Sequence, residues 1–189
     1  MLGSGEPAGM SGAMLPRITL IGYRACGKTY LAERLARRLG WSWADVDAAV
    51  VARAGRPIAE LFREAGEEAF RALERDCLAD LLARPEPTVL ATGGGVVLDP
   101  ANRARLARQG GLVVWLRAGP EVVRERLRGD GGVRPSLTGR GLLEEVEAVL
   151  AAREPLYAQC ADVTIDAAAA VEAKLAQLVT IVENRSETT

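Results

Sequence analysis

Eight consecutive residues, Gly22-Tyr-Arg-Ala-Cys-Gly27-Lys28-Thr29, fill every fixed position of the pattern G-x-x-x-x-G-K-[ST]. Glycines let such a loop curl so that successive N–H groups converge on phosphate oxygens, and a helix starting there adds the positive end of its dipole. Lys28 then reaches the β- and γ-phosphates, and the Thr29 hydroxyl is placed to ligate Mg²⁺. The pattern carries this meaning only between a strand and a helix. Arg17-Ile-Thr-Leu-Ile21 reads as a buried strand ahead of it. Leu31, Leu35 and Leu39 recur at helical spacing after it, up to a stop at Gly40. The segment is therefore expected to bind the phosphates of ATP, and it says little about the acceptor. Cys26 lies in the anion nest, where a thiolate is favoured electrostatically, although a small residue suits so tight a loop on packing grounds alone.

The elements that must position this loop alternate along the chain. A second strand is expected at Trp41–Ala44, running into Asp45-Val46-Asp47, and a helix over Ile58–Leu82, broken near Gly66. Thr88–Thr92 reads as a strand that ends in Gly93-Gly94-Gly95. A helix follows through Arg103, then a strand at Gly111–Leu116 and a helix from Pro120 to Leu127. Residues 129–140, with four glycines and a proline, form an expected mobile loop. Leu142–Ala152 is expected to be helical, Ala161–Ile165 a last strand and Ala167–Val182 a closing helix. Strand–helix alternation argues for a parallel sheet covered by helices on both faces, a three-layer αβα arrangement. Ligands of such sheets bind at the C-terminal ends of the strands, where the phosphate loop, Asp45, Asp47 and the three glycines all fall.

The bulk properties narrow the class. A chain of 189 residues fits one α/β domain, and 49% apolar with 26% charged residues is ordinary for a globular enzyme. Net charge is −1, so neither nucleic acid nor a membrane surface is an expected partner. No histidine is present, which excludes histidine triads, histidine bases and most zinc sites. Three widely spaced cysteines, Cys26, Cys77 and Cys160, make neither a disulfide framework nor a metal site, and fit a reducing, cytoplasmic setting. Residues 1–16 are rich in glycine, serine and proline without a signal-peptide pattern, and read as a flexible leader.

The ordered set of motifs from Ile18 to Asp166 resembles shikimate kinase. It comprises the phosphate loop, D-V-D at 45–47, F-R-x-x-E at 70–74, G-G-G at 93–95, R-P-S-L at 134–137 and R-E-P-L-Y at 153–157. The resemblance implies a P-loop kinase fold with a five-stranded parallel sheet in the order 2-3-1-4-5. It implies a single kinase domain at 17–185, with a substrate-binding segment at 47–80, a lid at 129–140 and a short tail at 186–189. It also implies transfer of the ATP γ-phosphoryl group to the 3-hydroxyl of shikimate, with Mg²⁺ as cofactor, in a cytoplasmic monomer.

Residue by residue, the resemblance assigns Asp45 to Mg²⁺ with Thr29, and Asp47 to the acceptor hydroxyl, whose proton it accepts or orients. From the sequence alone either aspartate could instead cap the helix starting near Ala48, and Arg71 with Glu74 could be a surface pair at i and i+3. The resemblance instead sets Arg71, oriented by Glu74, and Arg153 on the shikimate carboxylate. Pro155 is expected to break the helix just after Arg153. Gly93, Gly94 and Gly95 offer backbone N–H groups to the substrate. ATP is assigned to Gly22, Ala25, Cys26, Gly27, Lys28, Thr29 and Tyr30, with lid Arg134 on its phosphates and Arg126 stacked on adenine, Arg124 and Arg128 standing close by. Lys28, Asp47 and Arg134 form the expected catalytic set. The rivals are a gluconate or nucleoside monophosphate kinase of the same fold, and a nucleotide-binding module without catalysis.

Overall fold

The computed structural model describes residues 17–129 and 143–186. Residues 1–16, 130–142 and 187–189 lie outside the described residues, and with them the expected leader, the expected lid beyond Gly129 with Arg134, and the expected tail beyond Ser186. Five strands, β1 (Arg17–Ile21), β2 (Ser42–Asp45), β3 (Thr88–Ala91), β4 (Leu112–Arg117) and β5 (Val163–Asp166), alternate with α1 (Lys28–Leu39), α2 (Val46–Ala54), α3 (Ile58–Leu82), α4 (Pro100–Gln109), α5 (Pro120–Gly129), α6 (Val146–Cys160) and α7 (Val171–Ser186). All strand pairs are parallel, in the order β2-β3-β1-β4-β5. The expected fold and strand order are both present. None of the described helices is long and apolar enough to cross a membrane.

Period-two alternation builds the two cores. Leu112, Val114 and Leu116 pack with α1, α5 and α7 on one face. Val113 and Trp115, from the same strand, pack with α2 and α3 on the other. β1 and β3 split their side chains in the same way, so the central strands are covered on both sides as parallel strands must be. The ends of α3 and α4 are tied to β1 by one side chain. Arg17, 6% exposed, donates Nη1 to Leu82 O and Gln109 O and Nη2 to Arg84 O. Burial lowers its pKa against the pull of Glu86. Arg17→Met is expected to strand these carbonyls at a cost of about 2 kcal/mol, seen as a drop of about 4–8 °C in Tm by thermal unfolding.

Two local expectations resolve differently. α3 is interrupted at Gly66, whose φ of 81° and ψ of 175° leave the helical region, as its sequence suggested. Pro155, however, does not end its helix: α6 runs on to Cys160. The missing proline N–H costs one helical hydrogen bond, and tertiary contacts on both sides outweigh it. Arg153 binds Gly94 O, while Tyr157 is fully buried, stacks on Trp115 at 5.8 Å and donates its hydroxyl to the same Gly94 oxygen.

Candidate active site

β1 ends at Ile21, and the loop after it turns at Gly22, whose φ is 140°. A Cβ there would stand 2.6 Å from Leu116 O, so only glycine lets the loop pass β4. α1 then begins at Lys28 with no side-chain cap, leaving its first N–H groups directed into the loop. Lys28 Nζ donates to Gly22 O and Tyr23 O, both at 2.8 Å, with Cys26 Sγ at 3.5 Å. Ala25 holds a φ of 60°, the left-handed conformation in which a non-glycine residue is uncommon.

β2 delivers the two aspartates. Asp45 uses both of its oxygens: Oδ1 accepts the Ala48 N–H and caps α2, while Oδ2 lies 2.5 Å from Thr29 Oγ1. Capping and site construction are thus the same residue's work, not alternatives. Two hard oxygens side by side at the phosphate loop form a donor set suited to Mg²⁺, which keeps its remaining positions for water and phosphate. Among the described residues no group of three His, Cys, Asp or Glu could enclose a metal unaided. A cleft of about 270 Å³ brings together Lys28, Thr29, Asp45, Asp47, Gly94 and Arg126.

The three glycines after β3 join the two halves. A Cβ on Gly94 would meet the backbone of Tyr23 and Arg24, so this residue packs directly on the phosphate loop. A Cβ on Gly93 would lie 2.7 Å from Asp47 Oδ1 and 2.5 Å from Glu74 Oε1, and one on Gly95 would collide with the Arg71 guanidinium. Arg153 closes the ring by donating to Gly94 O at 3.1 Å. Asp47, Arg71, Glu74 and Arg153 come from three helices, yet all converge on this one turn.

The charges here are desolvated. Arg71 Nη1 donates to Glu74 Oε2 at 2.7 Å, and Glu67 takes its other donors at 3.1–3.2 Å. Glu74 is 1% exposed and its Oε1 has no partner among the described residues. Burial pushes the Glu74 carboxyl up, and Arg71 only partly offsets this. Burial acts against the Arg71 charge, but Glu74 and Glu67 more than compensate and raise its pKa. The ion pair is half-made from the glutamate's side, because one of its oxygens is left facing Gly93.

A family model described as shikimate kinase matches residues 24–183. The chain belongs to the shikimate kinase family. A shikimate kinase of Nitratidesulfovibrio vulgaris is 49% identical over 152 residues, 79% of this chain and 86% of that one. One of Rhodopirellula baltica is 43% identical over 150 residues, covering 78% and 79%. Among solved structures, a shikimate kinase of Acinetobacter baumannii in complex with shikimate superposes with a TM-score of 0.82 at 32% identity, over 93% of this chain and 96% of that one.

Within this shikimate kinase fold two residues at the site, Arg24 and Tyr157, escaped the sequence reading, whereas Arg126 and Tyr30, expected on ATP, both line the phosphate cleft. Arg24 lines the phosphate cleft and lies 4.0 Å from buried Glu145, next to the first turn of α6. Tyr157 holds the Gly94 carbonyl, four residues after Arg153 and thus on the same helix face. Arg126 donates to Ala25 O, Cys26 O and Ala167 O, so it ties the phosphate loop to the segment after β5 while lining the cleft. Tyr30 is half exposed beneath the Arg34 guanidinium, 3.4 Å from its ring centre.

Proposed function

We propose that this chain transfers the γ-phosphoryl group of ATP to the 3-hydroxyl of shikimate, releasing ADP and shikimate 3-phosphate. The observation that carries the reading is the Gly93–Gly95 turn, packed on the phosphate loop at Gly94 and on Asp47, Glu74 and Arg71 at its flanks. A small ring bound over it sits between a phosphate site and two guanidiniums. The Arg71 and Arg153 guanidiniums take the acceptor's carboxylate and fix its ring orientation. Asp47 then accepts the proton of the attacking hydroxyl. The phosphate-loop N–H groups, Lys28 and lid Arg134 neutralise charge on the transferring group.

Thr29 and Asp45 would hold Mg²⁺, which supplies further charge neutralisation on the phosphates. Chelation with EDTA is expected to abolish turnover, and excess Mg²⁺ to restore it. The free thiols of Cys26, Cys77 and Cys160 fit a reducing, cytoplasmic setting.

An ADP-release assay over shikimate, quinate, gluconate and AMP tests the assignment. Turnover is expected with shikimate far above the others. Turnover with gluconate or AMP and none with shikimate would remove it.

A further inference from the structure

The chain has two lysines, Lys28 and Lys174, and both stand beside the phosphate loop. Lys174 lies on the first turn of α7, is 6% exposed, and lines a cavity of about 170 Å³ with Cys26, Leu31, Arg126 and Val171. This cavity shares Ala25, Gly27, Tyr30 and Arg126 with the phosphate cleft. On the kinase reading above, a triphosphate seated on the loop has its base here.

The chemistry of this cavity is uneven. Leu31, Val171 and Ala25 make it apolar on one side. On the other, Lys174 Nζ and Arg126 Nη2 both donate to a single acceptor, Ala167 O, each at 2.9 Å. Two cations gathered on one carbonyl repel each other. Burial first, and Arg126 second, lower the Lys174 pKa, with Asp166 and Cys26 acting the other way. An ammonium has three N–H donors, and an apolar wall accepts none of them. A base that brings acceptors to Lys174 is therefore favoured, and one that brings an amino group is not. At its N7 edge adenine offers one acceptor and one donor, N7 and the 6-amino group. Guanine and hypoxanthine offer two acceptors there, N7 and O6.

We propose that Lys174 reads the N7/O6 edge of the nucleotide base, and that the donor site consequently accepts guanosine and inosine triphosphates alongside ATP. The transfer itself is unchanged by the base. The bond between the γ-phosphorus and the β–γ bridging oxygen breaks, a new bond forms from that phosphorus to the acceptor hydroxyl, Asp47 takes the hydroxyl proton, and the nucleoside diphosphate leaves.

The test compares kcat/KM for ATP and ITP in the wild type, Lys174→Met and Lys174→Gln, with Kd for ADP and IDP measured calorimetrically and thermal unfolding as a check. The wild type is expected to use ITP within about tenfold of ATP, and Lys174→Met to lower the ITP/ATP ratio by about tenfold or more. Lys174→Gln keeps a neutral donor for Ala167 O and should fall between them. An unchanged ratio, or equal losses for both nucleotides, overturns the proposal. Should Lys174→Met fail to fold, the same comparison on Lys174→Gln decides. A wild type that turns over no triphosphate would sink the kinase reading instead, and the ratio of IDP to ADP affinities would still judge Lys174.

Discussion

Asp47→Asn is expected to lower kcat by about a thousandfold while changing Kd for ATP by less than about threefold. The substitution keeps size and shape but removes the acceptor for the hydroxyl proton, and a positioned general base contributes about 10²–10⁴ in rate. Asp47 stands in the first turn of α2, two residues beyond the Asp45 cap, with its Oδ1 over Gly93. It is therefore on the acceptor side of the cleft. On the proposed reading phosphate affinity resides across the cleft, in the α1 N-terminus and Lys28, which the substitution does not touch. Steady-state ADP release together with calorimetric ATP binding checks both halves of the expectation. A variant with near-normal kcat would take Asp47 off the reacting hydroxyl. One that lost ATP affinity in proportion to kcat would make it a phosphate-site residue.

The contrast between those two sides explains what the sequence could disclose. The phosphate loop is legible because all of its parts are local: glycines, lysine and threonine within eight residues, between a strand and a helix. The layering is legible too, because strands and helices alternate along the chain, and the unbroken apolar run Leu112–Leu116 divides its side chains between two cores. The acceptor side is assembled from α2, α3 and α6, and no local pattern distinguishes Arg71 with Glu74 from an ordinary i,i+3 surface pair. What distinguishes it is that Glu74 is only 1% exposed, a property of the folded neighbourhood. Pro155 shows the same limit in reverse. A local rule ends the helix there, but contacts of Arg153 and Tyr157 with Gly94, about sixty residues away, carry it onward. Lys174 is silent in sequence for the same reason, since its partner carbonyl gains meaning only from Arg126, which donates to the same oxygen.

Arg71→Met is expected to do two separable things: raise KM for shikimate by about a hundredfold, and destabilise the fold in a way that depends on pH. The guanidinium is the one described partner of Glu74, whose side chain is buried and whose second oxygen is already unpaired. Removing it leaves a buried carboxylate uncompensated, at a cost of about 3 kcal/mol near pH 8, or about 6–12 °C in Tm. The Glu74 pKa is already raised above its ordinary 4.5, by burial first, and without Arg71 it must rise further. A raised carboxyl pKa means that the folded state binds the proton more tightly than the unfolded chain does. Stability is thus intact below the unfolded value of 4.5, and falls as pH climbs from there through the folded pKa. The variant should therefore melt close to the wild type at pH 4.5 and well below it at pH 8. Adding Glu74→Gln should recover most of the stability at pH 8 and none of the shikimate affinity, because the amide is neutral but supplies no guanidinium. A Tm deficit equal at both pH values would clear Glu74 of the cost, and a KM rise shared equally by ATP would take Arg71 off the acceptor's carboxylate.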